Sequence, residues 1–160
     1  MAHAPRRGFT LVEILIVVIL LGILAAIVVP QFSGATTEAR ASALLSDLRI
    51  LRSQIQLYKA QHDDAYPGAT FIAQMTTYSD AAGKTAPGAD ATYLYGPYLR
   101  SMPKNPVSGV ATIRIVNGAA RAFSAPKKDS GWWYNASTGE IRADLTNTRK
   151  TSDGRLMNQL

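Results

Sequence analysis

Cysteine is absent from the 160 residues, which excludes a disulfide framework, thiol catalysis and a cysteine-built zinc site. The absence does not fix a compartment, since an exported chain can do without disulfides. Histidine is scarce too: His3 and His62 leave little for imidazole acid–base chemistry or metal ligation. No nucleophile–base motif, phosphate-cradling glycine loop or ligand set at metal spacing occurs, so no catalytic residue is assigned. Charge is modest in amount and uneven in sign, with 17 Lys+Arg against 11 Asp+Glu and a formal balance of +6. The 47% hydrophobic content would suit an average globular chain, but the apolar residues are concentrated at one end.

From Phe9 to Val29 only Thr10, Glu13 and Gly22 are neither large and apolar nor Ala. A helix of that length spans roughly 31 Å, the thickness of a bilayer's hydrocarbon core. A buried soluble helix is the alternative, but so long an apolar run with a single charge favours membrane insertion. Residues 1–8 are short and basic, and Arg6 and Arg7 predict an N-terminus that stays cytoplasmic while the remainder is exported. A secretory signal peptide would have a shorter apolar region and a small-residue cleavage site, whereas Ile27, Val28 and Val29 follow Ala25-Ala26 here. A twin-arginine address fits poorly for the same reason: the run is too long and too apolar. Glu13 is the anomaly. A carboxylate in a membrane segment costs about 2.5–3.5 kcal/mol on insertion scales and marks a partner or a function, unless it sits near enough the interface to stay hydrated. Cleavage between Gly8 and Phe9 would supply a cation, an α-amine four residues before Glu13.

Arg6-Arg7-Gly8-Phe9-Thr10-Leu11-Val12-Glu13 and the apolar run behind it resemble the prepilin leader of the type IV pilin superfamily. Gly22 inside the run and Pro30 at its end fit the same pattern as helix-kink positions. The resemblance implies that a prepilin peptidase recognises the leader through Arg6 and Arg7, cuts between Gly8 and Phe9, and methylates the Phe9 amine. It also implies that Glu13 pairs with the Phe9 amine of a neighbouring subunit during filament assembly. Packing among identical helices would then replace lipid contact, and the amine–carboxylate pair would fix register in a low dielectric.

The helical pattern continues past Pro30. Ala41, Leu44, Leu48, Leu51, Ile55 and Tyr58 recur at spacings of three and four, opposite Arg40, Asp47, Arg49, Gln54, Gln56 and Lys59. If the two halves are continuous, residues 9–61 make one helix about 80 Å long. The stripe is expected to be the spine on which the chain's own strands pack. His62 to Gly68 ends the helix, with Asp63-Asp64 as a solvated terminus rather than a cation site. A short helix is expected over 70–79 and a surface loop over 80–90. The tyrosines of residues 91–109 are read as core, although Tyr beside Arg100 and Lys104 could also stack on single-stranded nucleic acid. Two hairpins are expected: 110–116 returning through Asn117-Gly118 into 119–124, and 132–134 returning through 135–139 into 140–145. Alternation puts Trp132 and Trp133 on opposite faces, with one partly exposed. Asn135-Ala136-Ser137 fits a glycosylation acceptor but is too common to count. Residues 146–160 are polar and read as a mobile tail.

This order gives an α+β fold: a long N-terminal helix, half membrane-spanning and half amphipathic, packed against a small antiparallel sheet, as in type IV pilins. The segments are a leader (1–8), a transmembrane and filament-core helix (9–30), its amphipathic second half (31–61), a globular periplasmic domain (62–145) and the tail (146–160). Residues 97–109 are also similar to the segment leading into the final sheet of the major pseudopilin of type II secretion, through Tyr98, Leu99, Pro103 and Pro106. The family usually has Asp where Asn105 stands. Its glycine- and aspartate-rich calcium loop is not evident, because Asp129, Asp144 and Asp153 lack the alternating oxygen spacing such a loop requires. No cofactor is therefore expected, and calcium has no clear site.

The resemblance implies a structural subunit of a type II secretion pseudopilus that helps drive protein export across the outer membrane. A surface pilus for adhesion, twitching motility or DNA uptake is the alternative. Expected partners are identical subunits, minor pilins, the prepilin peptidase, the inner-membrane assembly platform and, before assembly, the lipid bilayer. Nucleic acid is not expected: loss of Arg6 and Arg7 with the leader leaves 15 basic against 11 acidic residues, or +4, spread along the chain. An anchored periplasmic enzyme and a non-assembling membrane-anchored binding module are the rival classes.

Overall fold

The computed structural model describes residues 9–118, 123, 129–151 and 153–160, with backbone alone at 29–33. It divides into two compact units, Met1–Thr37 and Glu38–Leu160. Helix α1 (Leu11–Gln61) begins in the first unit and ends in the second. Its backbone is helical at position 30, although proline removes a donor there.

In the second unit the apolar stripe of α1 is the spine of the core. Ala41, Leu44, Leu48, Leu51, Ile55 and Tyr58 are all buried to 2% exposure or less. Each large apolar side chain so buried contributes about 1.5–3 kcal/mol of transfer free energy. Arg40, Arg49 and Gln56 lie exposed, as the periodicity requires. The helix stops where Asp63 and Asp64 take positive φ values of 51° and 60°, and the Asp64 amide turns back to the Lys59 carbonyl at 3.1 Å. Both aspartates are exposed, and Lys59 Nζ stands 3.7 Å from Asp64 Oδ1.

Beyond that end, α2 (Phe71–Thr76) buries Phe71 and Met75. It is shorter than the expected 70–79, because Thr77 is extended and Tyr78 enters a strand. β1 (Tyr78–Ser79) pairs antiparallel with β2 (Thr85–Ala86), so the expected surface loop of 80–90 contains one arm of a two-residue ribbon. The amides of Tyr98 and Leu99 both donate to the Met75 carbonyl, and Tyr98 Oη donates to Gln61 Oε1 at 2.7 Å. Both side chains join the core, which settles Tyr98 and Leu99 as packing.

The main sheet has three strands in the order β3 (Ile113–Val116), β4 (Trp132–Asn135), β5 (Glu140–Ala143). The β4–β5 hairpin forms as expected, turning through residues 135–139. Gly139 holds φ +72° under the Tyr66 ring, which leaves no room for a Cβ. The first expected hairpin falls largely outside the described residues. β3 pairs with β4, and in parallel, which makes the sheet mixed. The anticipated return strand falls on 119–124, of which only Phe123 is described, and Phe123 is not in a strand.

Trp132 and Trp133 are both fully buried, correcting the expectation that one would be exposed. Trp132 joins the core and donates from Nε1 to the Pro103 carbonyl at 2.9 Å. Trp133 takes the opposite face, which Phe123 covers edge-on with ring centroids 5.7 Å apart. By register Arg114, Trp133 and Arg142 share that face, and the Arg114–Asp144 ion pair closes it further.

The tail is folded rather than mobile. Lys150 bridges Leu156, a 3-10 turn (Met157–Gln159) follows, and Met157 and Asn158 are buried. Asn158 Nδ2 donates to the Leu145 carbonyl and to Asn147 Oδ1. Arg52 Nη2 on α1 donates to the carbonyls of Leu160, at 2.6 Å, and Ile141, at 3.4 Å.

Candidate processing and assembly segment

Every residue of Leu11–Val28 is solvent-exposed in the isolated chain, and the span has mean hydropathy 3.2. Phe9 is 77% exposed and lies outside the helix. A surface this apolar is incompatible with an isolated helix in water and demands lipid or other helices.

The start of α1 is built by Thr10. Its Oγ1 accepts the Glu13 amide at 3.2 Å, and its carbonyl accepts the Ile14 amide at 3.3 Å. Thr10 is thus an N-cap with Glu13 three residues on, the spacing of a capping box. Sequence reasoning that concentrated on Glu13 missed Thr10, although the Thr-x-x-Glu signal was available. The cap also changes the expected geometry of Phe9. Because Phe9 precedes the cap, it is not stacked on Glu13 as a helical i, i+4 neighbour, and the carboxylate stays open to a group from elsewhere. The same carboxylate stands in the first turn, where the helix dipole favours negative charge.

Gly22 lies inside α1 with nothing within 4 Å of a built Cβ, leaving an open notch for a close neighbour. Arg6, Arg7 and Gly8 lie outside the described residues, as does the side chain of Pro30.

Elsewhere, candidate chemistry resolves into structure. His62 is buried, stacked on Tyr58 at 3.7 Å, with Nδ1 on the Tyr58 carbonyl and Nε2 on Ser79 Oγ. Asn135 is 1% exposed and donates to the Gly118 carbonyl, so its amide is not a surface acceptor for sugar. Asn105, where the pseudopilin pattern has Asp, is fully buried. Its Nδ2 donates to the Gly131 carbonyl at 2.7 Å while Oδ1 accepts the amides of Val107 and Ser108. An aspartate could keep the second role but not the first, which accounts for the amide.

Two of the three carboxylates singled out from the sequence are already engaged by other side chains. Asp144 is committed to Arg114 through Oδ2–Nε at 3.0 Å and Oδ1–Nη2 at 2.9 Å. Asp153 is held by Thr151 and Arg155, which keep its carboxyl below the usual range. Among the described residues no three acidic, histidine or cysteine side chains converge. The buried Asn158 Oδ1 finds no partner among the described residues, but Leu145 and Asn147, to which its amide nitrogen is bonded, carry no charge.

Residues 4–29 match the prokaryotic N-terminal methylation motif, which places the chain in the type IV pilin superfamily. Over 104 residues it is 35% identical to the type II secretion system core protein G of Klebsiella pneumoniae, covering 63% of this chain and 69% of that one. The corresponding protein of Klebsiella michiganensis is 33% identical over 112 residues, covering 68% and 73%. That of Escherichia coli (strain K12) is 31% identical over 105 residues, covering 66% and 69%. The chain belongs to the type II secretion system core protein G family. No solved structure shows a significant match.

Proposed function

We propose that this chain is the precursor of a structural, non-enzymatic subunit that polymerises into the pseudopilus of a type II secretion system. The exposed apolar stretch Leu11–Val28, with a carboxylate in its first turn, carries the reading. Before assembly the bilayer covers that helix, with the N-terminus cytoplasmic and the unit Glu38–Leu160 periplasmic. A prepilin peptidase, guided by Arg6 and Arg7, cuts between Gly8 and Phe9 and methylates the new amine. Glu13 then pairs with the Phe9 amine of a neighbouring subunit, while Gly22 and Pro30 let the helix adjust within the bundle. Identical subunits, minor pilins and the assembly platform are the partners. The reading includes no metal, and the ion pairs of Asp144 with Arg114 and of Asp153 with Arg155 support that part of it.

Mass spectrometry on sheared surface material and on the washed envelope of native cells tests this. N-methyl-Phe9 peptides confined to the envelope support a short pseudopilus, whereas the same peptides in sheared filaments would establish a surface pilus. A chain still beginning near Met1 in both fractions would overturn processing altogether.

A further inference from the structure

A second surface of the globular unit fits a copy of this chain. Ala69, Thr70, Ile72, Ala73, Ile113 and Ile115 line an open groove of about 360 Å³ between α2 and β3, with no charged side chain in its wall. Among the described residues β3 pairs with β4 alone, so one rim is an open edge of the sheet. In a parallel ladder alternate residues direct their amide and carbonyl to the partner. The Thr112 and Val116 carbonyls accept the Trp132 and Ala136 amides, so the backbone groups of Ile113 and Ile115 face away from β4, over the groove. An apolar trough beside unpaired backbone suits an extended segment carrying one aliphatic side chain.

The same unit presents such a segment. Leu94 is 66% exposed, more than any other large apolar residue described in Glu38–Leu160. Its loop is pinned on both sides. Asp90 Oδ1 accepts the Thr92 and Tyr93 amides at 2.7 and 2.9 Å, and Tyr95 exchanges two backbone bonds with Ser79. Among the described residues the backbone of Leu94 makes no hydrogen bond of its own. It is therefore a fixed aliphatic knob with a free donor and acceptor beside it, and little ordering entropy remains to oppose docking.

We propose that Leu94 of one copy inserts into the α2–β3 groove of the next, with its backbone pairing to the edge at Ile113 and Ile115. Knob and groove are different residues on one subunit, so the contact is heterologous, and repetition yields a ring or an open fibre rather than a closed pair. This inference rests on the fibre reading above and adds to the helix bundle a contact between globular units.

The cysteine-free background makes the test direct. Full-length chain carrying Leu94→Cys and Thr70→Cys is assembled beside its secretion apparatus, oxidised and resolved without reductant. Thr70 is exposed, and its side chain makes no cap bond, so the substitution leaves α2 intact. A ladder of dimer, trimer and higher species is expected, with single-cysteine chains stopping at dimer or below. Fibres of the double variant that remain monomeric overturn the contact while leaving the fibre reading standing. A disulfide to a different polypeptide also overturns it, since the occupant would then be another protein. A parent chain that makes no fibre overturns the fibre reading and this contact together. Leu94→Ala should cut fibre yield at least several-fold with unchanged thermal stability, and normal yield would count against the knob.

Discussion

Replacing Asp144 by Ala removes one half of a buried ion pair, and the geometry sets the size of the loss. The Asp144 side chain is fully buried and that of Arg114 is 14% exposed. Two parallel bonds, of 2.9 and 3.0 Å, join them in a fork. Truncating one partner of such a pair costs about 3–5 kcal/mol, chiefly because the other charge keeps its desolvation and loses the attraction of that carboxylate. Arg114 retains some solvent, so the low end, about 3 kcal/mol, is expected here. For a unit of this size that lowers Tm by roughly 10 °C. Replacing both partners, as Arg114→Met with Asp144→Leu, removes the charge and its desolvation together and should cost within about 1 kcal/mol. Both tryptophans lie in β4, so their fluorescence during thermal melting of the full chain in detergent reports this unit rather than the membrane helix. A single variant that loses less than about 1 kcal/mol would refute the argument, because that is the range of exposed pairs. So would a double variant as unstable as the single one.

Three further outcomes follow from named contacts. Asn105→Asp keeps the shape but loses the donor to Gly131 and buries a charge against that carbonyl; a loss of about 2 kcal/mol or more at neutral pH is expected by urea titration. Burial, with Tyr98 and Asp80 nearby, pushes the Tyr58 hydroxyl up to about 12, and burial also raises Tyr98 and Tyr134. A raised folded pKa stabilises fully below the unfolded value of 10.0 and is lost as pH climbs towards about 12, so tyrosinate absorbance from these three should appear at higher pH than that of the same tyrosines in the urea-unfolded chain. Glu13→Ala should still be cut after Gly8 yet assemble poorly; a normal fibre yield would remove Glu13 from register control.

What the sequence made legible was periodic and local. The spine from Ala41 to Tyr58 could be read because burial on one helical face imposes spacings of three and four, and every named member is buried. The β4–β5 hairpin was legible because turn residues separate two apolar runs. β3 lies within the expected 110–116, but its parallel partner was not legible, because such a pairing is chosen by tertiary packing that no adjacent turn announces. The burial of Trp133 depends on Phe123 and on a salt bridge between residues thirty apart. At the candidate site Glu13 stood out as a lone charge, whereas Thr10, though noted as polar, was given no role because a cap is defined by a backbone bond that the side-chain pattern does not display. The Leu94 loop and its groove were invisible, since neither has a period.

The tail shows how polar composition can conceal order. Residues 146–160 bury few large apolar groups, and composition alone predicts mobility. Hydrogen bonds supply what apolar area does not: Asn158 clasps Leu145 and Asn147, Met157 N binds the Arg149 carbonyl, and Arg52 reaches across from the spine to Leu160. A closure made this way has a consequence that separates it from a calcium-closed loop. Metal that binds only the folded state adds stability growing with the logarithm of its concentration, about 2.7 kcal/mol at a hundredfold excess over Kd. Adding millimolar calcium, or a chelator, should therefore leave the melting of this chain unchanged, while Arg52→Ala should lower it by about 1–2 kcal/mol through the lost charge-assisted bonds. A calcium-dependent rise in Tm would refute a closure made by hydrogen bonds alone and would reopen Asp129, Asp144 and Asp153 as candidate ligands.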